Sequence, residues 1–291
     1  MGTVIRATGL STSSTTGSSI HHAASAAHKC LQTASVHPDD VQILINVGVY
    51  RDKNMVEPAM SALIQKELGM HLDFMQSGQK RPGFSFDLMN GACGALNAIQ
   101  VADACLRSEQ NQYVLVVSGD AHPSGQSPDD FPYACLGGAM LLQSSPDPNR
   151  GFSELHVALP DGPVGVQGYV DIHKEKGTGR DHITVAQDAD YLQRCHKHLL
   201  EALGPQDLCD TNTLLIPPQL TADFPGQLAA ALGLSLSHVV AVEGIDKDPH
   251  TSAIMIGYHQ AMMKSRIHPD TRVVFAAVGA GMNISWIEYR P

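Results

Sequence analysis

Phe84-Ser85-Phe86-Asp87-Leu88-Met89-Asn90-Gly91-Ala92-Cys93-Gly94-Ala95-Leu96-Asn97 is the stretch on which the reading of the chain turns. A short β-rich apolar run, Phe84 to Leu88, gives way to small residues and then to a helically spaced pattern that continues through Gln100-Val101-Ala102-Asp103-Ala104-Cys105-Leu106. A thiol, Cys93, therefore stands where a strand ends and a helix begins. Gly91, Ala92, Gly94 and Ala95 leave room for a backbone or a ligand to come close, and the unpaired amides of a helix start favour a thiolate over a thiol. Cys93 is the candidate nucleophile. The alternative is a buried structural cysteine, since free Cys is among the most buried residue types.

Working outward, 291 residues suffice for one large domain or two fused halves. Hydrophobic content of 43% and charged content of 16% are those of a globular protein. A net charge of -10 without any Lys/Arg cluster argues against a nucleic-acid binder. No apolar run approaches the roughly 18 residues of a membrane span, and no secretory pattern opens the chain, so the expectation is a cytoplasmic protein that avoids the membrane. The six cysteines, at 30, 93, 105, 135, 195 and 209, form no Cys-x-x-Cys pair and read as reduced thiols. Among 15 histidines, neither His21-His22 nor the Cys195, His196, His198 group has the spacing of a closed zinc site, so no metal is expected.

In chain order the first half reads strand (Val4 to Leu10), helix (Ile20 to Thr33), strand (Val41 to Val49) and helix (Glu57 to Leu68, ended by Gly69). The opening stretch follows with its helix to Arg107, then strands at Tyr113 to Ser118 and Gly137 to Ser145. Asp147 to Gly151 punctuates the chain, and the order restarts: strand (Phe152 to Leu159), a loop-rich region to 186, helix (Ala186 to Leu203), strand (Thr213 to Ile216), helix (Ala222 to Leu232), strand (Val239 to Val242) and helix (Ser252 to Ser265). Arg272 to Val278 and Ile284 to Tyr289 close as a hairpin around Gly279-Ala280-Gly281-Met282-Asn283. Two halves, 1–150 and 151–291, with fully apolar strands predict an α/β protein with mainly parallel sheets covered by helices.

The element order, Phe-Asp-Leu-x-Asn-Gly-x-Cys-Gly before a helix carrying Val101-Ala102-Asp103, and the closing Gly279-x-Gly281 resemble the thiolase superfamily, and within it β-ketoacyl-acyl-carrier-protein synthase III. The resemblance spans nearly the whole chain. It implies a duplicated, five-layered αβαβα fold, a dimer, and a cysteine that takes an acyl group from a thioester. A histidine and an asparagine then support decarboxylation and condensation with a malonyl thioester. Carried onto this sequence, a gapless alignment from Asp87 to Val101-Ala102-Asp103 puts Ala92 at the nucleophile position and Cys93 one place later, a rotation of about 100° on a helix. Pro218, in Leu215-Ile216-Pro217-Pro218-Gln219, stands where the family has histidine, and His250, in Pro249-His250-Thr251-Ser252-Ala253, where it has asparagine. The segment that forms the family's substrate entrance, after the first strand, is nearly absent here, which implies a pocket that is open or completed by another chain.

Two functions follow. As an enzyme, the chain would carry the acyl group on Cys93, with His250 as base or carbonyl polariser and the amides of Cys93 and Gly281 as oxyanion donors. Ala92, Gly94, Pro218 and Gly279 would line the pocket. Acyl-CoA or an acyl-carrier protein would be the partner, with no bound cofactor, and Lys174, Lys176 and Arg180 would be candidates for docking the acidic carrier. As a degenerate partner subunit, the chain would instead pair with an active, paralogous synthase and shape its pocket, as a shortened synthase does in the heterodimeric enzyme that makes quinolone signals. Cys93 would then be inert.

Overall fold

The structure, a computed structural model, describes residues 2–12, 17–72, 83–108, 111–170 and 181–291. Strands β1 (Gly2–Ser11), β2 (Ile43–Asn46), β3 (Phe84–Asp87), β4 (Tyr113–Asp120) and β5 (Leu136–Ser145) form one sheet in the order β1-β5-β4-β2-β3. In it β2 runs parallel to both β3 and β4, while β5 is antiparallel to β4 and β1. Helices α1 (Ser19–Ala34), α2 (Met60–Leu68) and α3 (Gly94–Arg107) connect these strands.

The second half holds β6 (Gly151–Phe152), β7 (His156–Ala158), the hairpin β8 (Val166–Tyr169) and β9 (Thr184–Gln187), α4 (Tyr191–Leu203), β10 (Thr213–Ile216), α5 (Phe224–Ala231), α6 (Ala253–Met263), β11 (Arg272–Val278) and β12 (Ile284–Arg290). Here β10 is parallel to β11, β11 antiparallel to β12, and β12 antiparallel to β6 and β7. The order of strand pairings thus repeats in the two sheets.

Alternation along the strands sets the layers. Ile43, Ile45, Val114 and Val116 face a core shared with α3 and α6, whereas Leu44, Leu115 and Val117 face α1 and α2. In the second sheet Val273, Phe275 and Ala277 join the same shared core, and Val274, Ala276 and Val278 face α4 and α5. The result is helix, sheet, helix, sheet, helix: the expected αβαβα stack. The central strands β2, β4, β10 and β11 are buried and largely apolar on both faces because helices cover both faces of the two main sheets. Alanines on α1 let it lie against bare sheet backbone, and a Cβ on Gly137 would fall 2.5 Å from the His22 carbonyl oxygen.

Several boundaries differ from the sequence reading. The expected strand at Val239 to Val242 is a single parallel bridge, Leu215 to Val239, with the Val240 N–H donating to the Leu215 carbonyl at 2.9 Å. It occupies the place beside β10 that β3 holds beside β2. The helix expected from Ala186 begins at Tyr191, because Thr184–Gln187 pairs with β8. Phe152 to Leu159 is split into β6 and β7, the Ser153 hydroxyl having taken the Glu288 N–H at 3.1 Å. Lys174, Lys176 and Arg180 lie outside the described residues. Among the described residues no helix is long and apolar enough to cross a membrane.

Asp87, at the end of β3, ties the first half together. Its carboxylate accepts from the amides of Met60 (3.1 Å) and Ser61 (2.8 Å), from Asn46 Nδ2 (3.1 Å) and from Arg51 Nη2 (3.2 Å). Helix α2 has no capping side chain of its own at Ala59, so Asp87 serves its N-terminus from across the sheet. Asp87→Ala is expected to lower the unfolding free energy by about 3 kcal/mol, and Asp87→Asn by roughly half as much, in urea denaturation at neutral pH.

Candidate active site

A cavity of about 440 Å³ opens where the segments after β2, β3 and β11 meet the start of α6. Gly91, Ala92 and Gly279 form one wall, and Tyr50, Tyr133 and His250 another. Val49, Val166, Val170, Ile183 and Val278 make much of the remainder apolar. A smaller lobe of about 180 Å³ shares Tyr133, Val166, Tyr191, Leu220 and Asp248 with it, and adds Asp130 and Gln187.

The turn before α3 decides which side chain reaches this space. Ala92 lines the cavity, whereas Cys93, in the N-cap position of α3, is fully buried and packs into the core between the sheets. Its thiol points at the Asn283 carbonyl oxygen, 3.5 Å away. Burial pushes the Cys93 pKa up to about 11, against the smaller lowering effect of hydrogen bonding with Ser285. The expectation of a thiolate at the cavity is therefore corrected: the helix start is present, but the thiol is turned away from it and out of water. Gly279 separates the two. A Cβ there would collide with Asn283 Oδ1 and the Asn90 carbonyl oxygen and lie 2.9 Å from Cys93 Cβ, so this wall closes only around glycine.

Of the other expected pocket residues, Gly94 begins α3 within the core, and Pro218 is buried outside the cavity lining, where Leu220 takes the wall. Gly281 has φ 68° and is exposed, away from the lining, so an oxyanion role for its amide has no geometric basis.

His250 is where the chemistry concentrates. It is buried at the cavity wall, with its Nδ1 3.3 Å from Asp120 Oδ1 and its amide donating to Asp248 Oδ1 at 2.7 Å. Against a carboxylate, Nδ1 carries the proton, which leaves Nε2 of the neutral ring with a lone pair. Burial draws the His250 pKa down, but the charge and hydrogen bond of Asp120 and the charge of Asp248 outweigh it, and the pKa is raised. Asp120 also accepts from the Thr251 amide (3.1 Å) and hydroxyl (2.5 Å). Tyr133 stacks on the imidazole, with ring centroids 4.1 Å apart and planes at 29°, and Tyr50 lies 5.6 Å from it. In its neutral form, an Asp-oriented imidazole in an apolar, aromatic-walled cavity can act as a general base through Nε2.

Sequence reasoning named Ala92, Gly279 and His250 and missed Asp120, Asp248, Tyr50 and Tyr133. Asp120 left a signal, since it ends a buried strand after Ser118-Gly119, at the strand end where α/β proteins build sites. The tyrosines left none.

No protein-family model matches the chain. The β-ketoacyl-[acyl-carrier-protein] synthase III of Granulibacter bethesdensis is 25% identical over 277 residues, covering 89% of this chain and 80% of that protein. Its counterpart from Acidiphilium cryptum is 26% identical over 275 residues, with the same coverage of 89% and 80%. Among solved structures, a Xanthomonas campestris OleA variant with bound lauric acid and lauroyl-CoA superposes with a TM-score of 0.74 at 16% identity, covering 100% of this chain and 99% of that one. The 3-oxoacyl-[acyl-carrier-protein] synthase III of Aquifex aeolicus superposes with a TM-score of 0.71 at 15% identity, covering 100% of both chains. The chain is thus similar to ketoacyl synthase III along most of its length, and its fold is the thiolase-like one.

Asp248 gives the site a pH signature. Burial raises its pKa to about 6, with the His250 charge and amide working in the opposite direction. The folded state therefore favours the protonated acid, a contribution fully present below the unfolded pKa and lost as pH rises through about 6. Asp248→Asn retains an acceptor for the His250 amide without the charge. It is expected to match the parent near pH 4 and to exceed it by roughly 2–3 kcal/mol above pH 7 in chemical denaturation.

Proposed function

We propose that the chain is an acyl-thioester transferase of the ketoacyl synthase III type, taking its acyl group from acyl-CoA or an acyl-carrier protein in the cavity bounded by Ala92, Gly279 and His250. His250 is the base, and the acyl group passes directly to the acceptor. The observation that carries this reading is that an Asp120-oriented imidazole and Ala92 line the same cavity, while the Cys93 thiol lies buried beside Gly279. Similarity to synthases along most of the chain supports the thioester as substrate class. OleA, as a thiolase-like neighbour, is known with lauric acid and lauroyl-CoA bound.

The step balances without a cofactor. An acceptor X–H gives its proton to Nε2 of His250 as X attacks the thioester carbonyl. The C–X bond forms, the tetrahedral intermediate collapses with cleavage of C–S, and the imidazolium returns the proton to the leaving thiolate. Asp120 stabilises the imidazolium formed in between. On this reading the two halves of the chain, 1–150 and 151–291, frame one cavity, and the protein works in the cytoplasm as a homodimer or beside a paralogous synthase.

A second reading, a partner subunit without its own turnover, is favoured by Ala92 and Pro218 at two of the family's catalytic positions. One experiment separates them: the purified chain is incubated with a panel of acyl-CoAs and acyl-carrier proteins, with free thiol release and intact mass followed together. Thiol release without a stable adduct is expected, falling about 10²- to 10⁴-fold in His250→Ala. Ala92→Cys is expected to gain an acyl adduct, because it places a thiol inside the cavity. An adduct on the parent that disappears in Cys93→Ala would move the acyl group to Cys93. Neither release nor adduct with any donor would leave the partner subunit.

A further inference from the structure

A thioester carbonyl attacked beside His250 develops negative charge on its oxygen, and a neutral imidazole whose Nε2 is the base cannot also donate to that oxygen. Another donor has to stand at the cavity. Most of the candidate side chains are already committed. Arg51 Nη2 donates to Asp87 at 3.2 Å, Asn54 Nδ2 donates to the His182 carbonyl at 2.9 Å, and the Tyr191 hydroxyl is directed at Cys195. The Tyr50 ring lies beside that of Tyr133, centroids 5.1 Å apart, with the two hydroxyls in contact with each other.

Tyr133 differs from all of these. Its ring is stacked on His250 at 4.1 Å, which fixes it beside the base. Its backbone is held in place by the parallel bridge to Asp248 and by the Ala134 amide donating to the Asp248 carbonyl at 2.8 Å. Phe131 packs edge-on against both Tyr50 and Tyr133 and completes an aromatic box that leaves the Tyr133 ring little freedom. Apart from the Tyr50 hydroxyl, the Tyr133 hydroxyl has no hydrogen-bond partner among the described residues, so its proton can be donated in a hydrogen bond to a substrate oxygen.

Resting on the acyl-thioester reading of the cavity, we infer that Tyr133 is a catalytic residue: its hydroxyl donates a hydrogen bond to the thioester carbonyl oxygen, with Tyr50 donating to Tyr133 in turn. The phenol is well suited to the task. Burial, together with the carboxylates of Asp248 and Asp120, raises its pKa well above the working range despite the opposing Tyr50 contact, so it stays protonated. As charge gathers on the substrate oxygen, the Tyr133 proton is drawn toward it, and the Tyr50 donor compensates the Tyr133 oxygen. No proton leaves Tyr133, so the transfer remains balanced on His250. Both phenols are themselves buried, where such a donor is worth more than in solution.

The test uses Tyr133→Phe, which keeps the stack on His250 and removes only the hydroxyl, with Tyr50→Phe as the milder companion. Acyl-CoA labelled with ¹³C at the thioester carbonyl is bound to parent and variants, and the carbonyl stretch is read by isotope-edited infrared spectroscopy alongside steady-state kinetics. The parent is expected to lower the stretch relative to free acyl-CoA, and Tyr133→Phe to abolish that lowering. The same variant should lose about 10²- to 10³-fold in kcat with KM changed less than about threefold, and Tyr50→Phe should lose about tenfold. An unshifted carbonyl in the parent, or a shift and kcat that survive in Tyr133→Phe, overturns the role of Tyr133 while leaving the cavity a thioester site. Failure of labelled acyl-CoA to bind the parent overturns the thioester reading itself, and this inference with it.

Discussion

The carboxylate of Asp120 is the point on which the molecule closes. It ends β4 in the first sheet, is fully buried, and accepts three hydrogen bonds from a segment of the second half: the Thr251 amide, the Thr251 hydroxyl and His250 Nδ1. A buried, unpaired carboxylate would cost several kcal/mol, so the donors have to be there. The Ser118 and Ser252 hydroxyls, 2.6 Å apart, add a second link one step deeper. The start of α6 is thereby pinned to the end of β4, and Ile254, Met255 and Tyr258 follow into the core shared by the two sheets. The anchor that joins the halves is also the one that orients the base.

That anchor dictates backbone shape as well as side-chain direction. To give Asp120 both the ring and the next amide, the chain turns sharply at His250, which has φ 46°. Among residues with a Cβ, Asn, Asp and His accept this left-handed region best, while β-branched residues strain there by about 1–2 kcal/mol. The resemblance places asparagine at this position, and histidine meets the same backbone constraint while adding a titratable ring. The position narrows the choice of residue before any chemistry is asked of it.

What could be read from the sequence follows the range of the interactions involved. β10 and β11 were legible to the residue because each is a run of apolar residues with ladder partners on at least one side. The α3 start was legible from Gly94 onward because small residues and helical spacing are local. The Ala92 and Cys93 register came from the resemblance, whose gapless alignment from Asp87 to Asp103 put alanine at the nucleophile position while Cys93 stayed the candidate nucleophile. Val239 to Val242 failed as a strand because edge pairing, a tertiary matter, reduced it to one bridge. Of the acid–base set only His250 was legible, for the same reason: Asp120 lies 130 residues from it, and Tyr133 meets it only once the sheets have docked. Periodicity reports which face of an element is buried, and has nothing to say about which polar groups two buried faces bring together.

A thiol displaced by one residue changes the order of events on the proposed reaction. A cavity cysteine lets donor and acceptor visit in turn, since the enzyme holds the acyl group between them. With a methyl group in its place, thioester and acceptor have to occupy the site together, and the catalytic gain comes from holding them in register rather than from a covalent intermediate. Positioned reactants can reach effective molarities of about 10⁵ M or more, so the loss of the nucleophile is not the loss of catalysis. The space for two is present. On the proposed reaction the main cavity takes the thioester, and the adjoining lobe, which meets it at Tyr133 and Asp248, takes the acceptor. The junction of the two volumes is lined by the side chains that surround His250, so an acceptor entering through the lobe arrives beside the base.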